Sequence, residues 1–156
     1  MYNINTICDY VILRLKSEGE DFLTNLRLQK LLYYVQAWHL AFNKEKLFEG
    51  DFQAWIHGPV NREIYDRFKD SKGLYSEIHL ADLLDENCFQ NIDEESRKHV
   101  DVILENYGKF SGTQLEYMTH QEEPWIDARK GYSPSQRCEI VINNELMGDY
   151  YRARLQ

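Results

Sequence analysis

The chain has 156 residues, 43% hydrophobic and 13% aromatic, with 26 acidic against 18 basic side chains and a formal net charge of −8. That length suits one domain burying roughly 70% of its unfolded surface in a single core, without metal or disulfide support. The acidic balance repels phosphate and argues against direct nucleic-acid binding, and no apolar run approaches the roughly 18 residues that a membrane span needs.

Ile4, Ile7, Cys8, Val11, Ile12 and Leu15 recur at helical spacing behind an Asn3 cap, so a first helix runs over about 4–17 and ends at Gly19. Thr24 or Asn25 caps a second helix that extends to Asn43. Its apolar residues cover two adjoining faces: Leu28, Leu32, Val35, His39 and Phe42 on one, Leu31, Tyr34, Trp38 and Ala41 on the other. Only Arg27, Lys30, Gln36 and Asn43 are plainly polar, which makes the helix central. His39 on such a face reads as a satisfied core histidine.

From Asp51 to Ile56 the pattern alternates, predicting a strand. Gly58-Pro59 stops it, and Pro59 suits the first turn of a third helix reaching about Lys69. A loop at Gly73 and a short helix through 80–84 follow. Asp93 caps a helix with Val100, Ile103, Leu104 and Tyr107 on one face, stopped by Gly108. Ser111 and Gln114 form a capping box for a short helix carrying Leu115 and Met118, and Pro124-Trp125 opens another. The brief run 138–142 can pair with the strand near Phe52, and Asn143 caps a last helix with Leu146, Met147, Tyr150 and Tyr151. The fold class is mainly α: a compact single-domain helical bundle over residues 1–156, with a short two-stranded β pair of about 51–56 with 138–142.

Little in this pattern carries chemistry. Cys8, Cys88 and Cys138 lie far apart without metal-ligand spacing, and an odd cysteine count with no leader pattern predicts a reducing, cytoplasmic setting. No phosphate-cradling glycine loop, His-Glu-x-x-His or Gly-x-Ser-x-Gly occurs, so no cofactor, metal or catalytic set is expected. The best enzymatic candidate is His120 beside Glu122 and Glu123, with His57 as a second imidazole. The competing account has His120 bonding backbone at a helix end with Trp125 beneath it. His79 and His99 read as exposed. Lys44, Lys46, Lys69 and Lys72 form no stripe, and solvated faces account for them. Eleven tyrosines and three tryptophans exceed what a small core needs, and such rings are favoured at recognition surfaces.

Three ordered motifs carry a resemblance. The first is Leu28-Gln29-Lys30-Leu31-Leu32-Tyr33-Tyr34, then Trp38, then Phe52-x-Ala54-Trp55-x-x-Gly58-Pro59-Val60 and Ile64-Tyr65. The second is Ser111-Gly112-x-Gln114-Leu115-x-x-Met118-Thr119-His120-x-Glu122-x-Pro124-Trp125. The third is Ile142-x-x-Glu145-Leu146-Met147-x-x-Tyr150-Tyr151. Together they resemble the Panacea domain family, also called SocA-like or GepA-like.

The resemblance implies an antitoxin of a bacterial toxin–antitoxin pair, of the kind associated with prophages and mobile elements, acting on its cognate protein toxin by direct contact. Some relatives add a DNA-binding domain, for which this chain has no room. Gln29, Lys30, Tyr33, Tyr34, Trp55, Gly58, Pro59, Val60, His120, Glu122 and Trp125 are the family-motif positions and candidate partner contacts. Many of them fit a role in defining the fold, with toxin-facing residues elsewhere. The acidic chain suits a basic toxin surface. Two alternatives stay open: an adaptor delivering its partner to a protease, and an enzyme using His120 and Glu122.

Overall fold

The computed structural model describes residues 1–19 and 22–155. Helix α1 (Ile4–Ser17) starts where the Asn3 side chain accepts the Asn5 amide at 2.8 Å. Helix α2 (Asn25–Asn43) starts where the Thr24 hydroxyl accepts the Arg27 amide at 3.2 Å, and it stops at Lys44, which adopts a left-handed φ of 59°.

Fifteen of the nineteen residues of α2 are buried, so it has no solvent face to speak of. The central position read from its apolar faces extends to burial of its polar residues Arg27, Lys30 and Gln36, each with partners. Gln36 donates to the Phe48 carbonyl (2.8 Å) and accepts the Leu47 amide (2.8 Å). Arg27 donates to the carbonyls of Phe110 (3.0 Å) and Gly108. At the far end the pattern misleads in the other direction. Phe42 is 53% exposed, and His39 is half-buried at the surface, donating to the Glu45 carbonyl at 2.6 Å. His99, expected to be exposed, is half-buried and bonds the Val35 carbonyl at 2.9 Å.

Strand β1 (Gln53–Trp55) turns through Ile56-His57 into strand β2 (Gly58–Val60), an antiparallel pair in register Gln53↔Val60, Ala54↔Pro59 and Trp55↔Gly58. This corrects two expectations. Gly58-Pro59 lies in the returning strand and does not start a helix; helix α3 (Arg62–Phe68) begins instead at Asn61, whose side chain accepts the Ile64 amide at 3.0 Å. The sheet partner of β1 is β2, while 138–142 contributes an isolated antiparallel bridge, Gln53↔Val141, on the opposite edge. There Ala54 donates to the Ile140 carbonyl (2.9 Å) and Ile142 to the Phe52 carbonyl (2.7 Å). Because Ala54 turns its amide toward Ile140, the facing Pro59 has no ladder bond to supply, and its missing N–H is harmless.

Short 3₁₀ turns at Leu80–Asp82 and Cys88–Asn91 occupy the region between α3 and α4 (Glu94–Tyr107). Arg67 of α3 ties the first of them down, pairing with buried Asp9 at 2.5 Å and donating to the Asp82 carbonyl at 3.0 Å. Helix α5 (Gly112–His120) carries the capping box of Ser111 and Gln114, followed by α6 (Glu123–Ala128) and α7 (Asn144–Arg152), the last capped by Asn143. α2 forms the axis, in contact with α1, α4, α5, α7 and β2. The fold is mainly α with one small two-stranded sheet.

Candidate partner-binding site

All the motif residues gather where α2 meets the hairpin and the α5–α6 corner, but as two distinct clusters. In the first, Glu122 Oε1 accepts two phenolic hydrogen bonds at 2.7 Å each, from Tyr34 on α2 and Tyr151 on α7. Tyr33 and Tyr151 hydroxyls meet at 3.2 Å, and Tyr34 stacks on Tyr107 at 4.1 Å. Tyr107 in turn accepts the Trp38 indole N–H at 2.8 Å. Burial pushes the Glu122 carboxyl above its ordinary range, with the two phenols pulling the other way. Burial and the Glu122 charge raise Tyr34, so it remains a protonated donor.

The second cluster holds the hairpin. Lys30 is buried and donates to the Pro59 carbonyl at 2.9 Å; burial lowers its amine to about 7, against a smaller opposing pull from Glu116. Gln29 grips Asn61 from both sides, accepting its amide (2.9 Å) and donating to its carbonyl (3.1 Å). Trp125 donates its indole N–H to the Trp55 carbonyl at 2.9 Å. Arg129 lies 5.0 Å from the Trp125 ring centroid and donates to the Ala54 carbonyl at 2.8 Å. His120 stacks on Trp125 with ring centroids 4.0 Å apart and an interplanar angle of 17°. Burial lowers its pKa, and its Nε2 is buried without a hydrogen-bond partner.

These contacts separate the two halves of the enzymatic candidate. Glu122 serves tyrosines and His120 serves Trp125, with no hydrogen bond between them. His57, at the exposed hairpin turn, pairs with Glu116 at 3.2 Å. Among the described residues no group of three or more His, Cys, Asp or Glu could hold a metal ion. All three cysteines are buried and free. His120 packs over Trp125 at the end of α5.

One side of the hairpin opens on a cavity of about 540 Å³. Gln29, Lys30 and Val60 line it from within, together with the rings of Trp55 and Tyr65. Lys69 and Lys72, read from sequence as unconnected solvated residues, join Arg62 and Arg137 along the same cavity, so the acidic balance of the chain stops there. Arg62, Arg129 and Arg137 gave no motif signal; only the chain's path through α3 and the 129–139 segment brings them to the hairpin. Of the motif residues, Trp55 and Tyr65 line the cavity with part of their surface exposed, while Gln29, Lys30, Tyr33, Tyr34, Gly58, Pro59, Val60 and Trp125 are buried.

The family model described as "Antitoxin SocA-like, Panacea domain" matches residues 28–126. The chain therefore belongs to the SocA-like Panacea domain family; the first two motifs lie within the matched span, and the third, from Ile142 to Tyr151, follows it. It is similar to Antitoxin SocA of Caulobacter vibrioides (strain NA1000 / CB15N), 25% identical over 142 residues that cover 83% of this chain and 72% of that protein. No solved structure matches.

Proposed function

We propose that this chain is the antitoxin of a bacterial toxin–antitoxin pair and neutralises a cognate protein toxin by stoichiometric contact, without turnover. Membership of the SocA-like Panacea family, over residues 28–126, carries this reading. The site geometry supports it. The polar groups of Gln29, Lys30, Tyr34 and Glu122 are committed to internal bonds, as suits a scaffold that holds a surface in place. His120 and Glu122 form no acid–base pair. Residues 1–156 act in this proposal as one unit. No helix among the described residues is long and apolar enough to cross a membrane, which fits a partner met in solution. The net charge of −8 favours a toxin with basic surface outside the hairpin cavity, speeding encounter more than deepening affinity.

Expression of the neighbouring gene alone and together with this one tests the reading. Growth arrest by the neighbour, relieved by this chain in an equimolar complex, is the expected result. Relief without a complex, or relief by substoichiometric chain, would overturn neutralisation by contact. Rescue that requires a protease and removes the toxin from the cell would instead identify an adaptor.

A further inference from the structure

We infer that the cavity beside the β1–β2 hairpin is a docking groove for an acidic segment of a partner protein that carries an apolar side chain. The inference rests on the antitoxin reading for the partner's identity, and on the cavity itself for its chemistry.

Charge supplies the first argument. In a chain of net charge −8, this cavity is lined by four cations, Arg62, Lys69, Lys72 and Arg137, against one carboxylate, Glu139. Glu139 is already engaged by Arg62 at 2.8 Å and Arg137 at 3.4 Å. Arg62 and Lys69 also reach Asp66 at 3.8 and 3.7 Å, long exposed pairs of a kind that contributes little, and Lys72 meets Asp82 at 3.4 Å in a more sheltered position, so four cations share three carboxylates. The cations face the cavity with capacity to spare for an anion.

The lining supplies the second. Trp55 and Tyr65 sit edge to face at 4.9 Å, and the Arg62 guanidinium lies 5.6 and 5.7 Å from the two ring centroids. Aromatic rings, an arginine and adjoining Ile56, Val60 and Leu74 make a surface that takes an apolar side chain as well as a charge. Asn25, in the same wall, is buried and its side-chain carbonyl has no hydrogen-bond partner. A polypeptide brings N–H donors that answer such an acceptor, and a bare phosphate brings none. These features together favour a peptide over an inorganic anion.

A displayed library of random decapeptides, panned on the intact chain, tests this without knowledge of the toxin. The enriched sequences are expected to be rich in Asp and Glu around an aromatic or aliphatic residue. Their Kd, read by fluorescence anisotropy of the synthetic peptides, should rise at least fivefold in Lys69→Glu/Arg137→Glu, whose two side chains are exposed and safe to change. Lys69→Gln/Arg137→Gln should give a smaller rise, and thermal unfolding checks that both variants are folded. No enrichment, enrichment of basic or uncharged sequences, an increase below fivefold, or displacement of the peptides by AMP or inorganic phosphate would each overturn the groove. Rescue from the neighbouring toxin keeps the two readings apart. Undiminished rescue by the charge-reversed variant removes the groove and leaves the antitoxin; failure of the unaltered chain to rescue removes the antitoxin, and the peptide result stands by itself.

Discussion

Lys30 and Gly58 are in direct register across the α2–hairpin junction. A Cβ on Gly58 would stand 2.5 Å from Lys30 Cε and 2.9 Å from the Thr119 hydroxyl. Gly58 also has a φ of 99°, which L side chains rarely adopt. The glycine lets the hairpin lie flat on the lysine, and the lysine holds it there through the Pro59 carbonyl.

Gly58→Ala is therefore expected to destabilise the fold by about 2–4 kcal/mol, through backbone strain and overpacking together. Urea unfolding measures this directly, and a loss below about 0.5 kcal/mol would contradict the packing described.

Lys30 also predicts a pH dependence. Its amine is held near 7 in the folded chain against 10.5 ordinarily. The unfolded chain thus binds more protons between those values, and stability rises with pH across that window as the buried charge is relieved. Above about 9 the raised folded-state values of Cys8 and the buried tyrosines work in the opposite direction, so the clean range is pH 7–9. Across it the unaltered chain should gain on Lys30→Met by at most about 1.4 kcal/mol per pH unit. Parallel stability curves for the two proteins would refute the assignment.

Glu122 is the common acceptor for Tyr34 and Tyr151. Glu122→Ala leaves both phenols without their carboxylate partner and should cost about 2–4 kcal/mol. Glu122→Gln keeps an acceptor oxygen and removes a buried charge, so its loss should stay below about 1 kcal/mol. Guanidinium unfolding midpoints at constant m-value resolve the two. Equal losses would mean that the charge, and not the acceptor, is what the tyrosines need.

His120→Ala removes a stacked ring from Trp125, worth about 0.5–1.5 kcal/mol. Toxin neutralisation should persist at one-to-one stoichiometry, as followed by growth rescue and by analytical ultracentrifugation of the complex. Abolished rescue with the complex still formed would point to a reacting imidazole.

The helix starts were legible in the sequence because their cause is local. Asn3, Thr24, Asp93, Ser111 and Asn143 each accept an amide from the first turn that follows. Gly58-Pro59 misled because the same pair serves a helix start or a strand that needs no ladder bond at Pro59. Ala54's commitment to Ile140 decides between them, and that is a tertiary fact. Likewise Lys30, Arg27 and Gln36 are plainly polar in a helix read as central, and only their carbonyl partners on β2, the 108–110 turn and Phe48 explain how it buries them. The cavity cations were invisible for the same reason: Arg137 meets Lys69 and Arg62 only after folding.

The embrace of α2 by α7 imposes an order on biosynthesis. Arg152 donates to the Ala41 and Leu40 carbonyls, and Gly148 lies against Leu40 so closely that a Cβ would be 3.3 Å from it. The helix that forms the spindle of the molecule leaves the ribosome early, yet its final wrapping arrives only with the last helix described. Throughout that interval an apolar flank stands open to chaperones and proteases. A nascent chain halted before Asn144 should thus be short-lived, which makes the supply of finished protein sensitive to any interruption of translation.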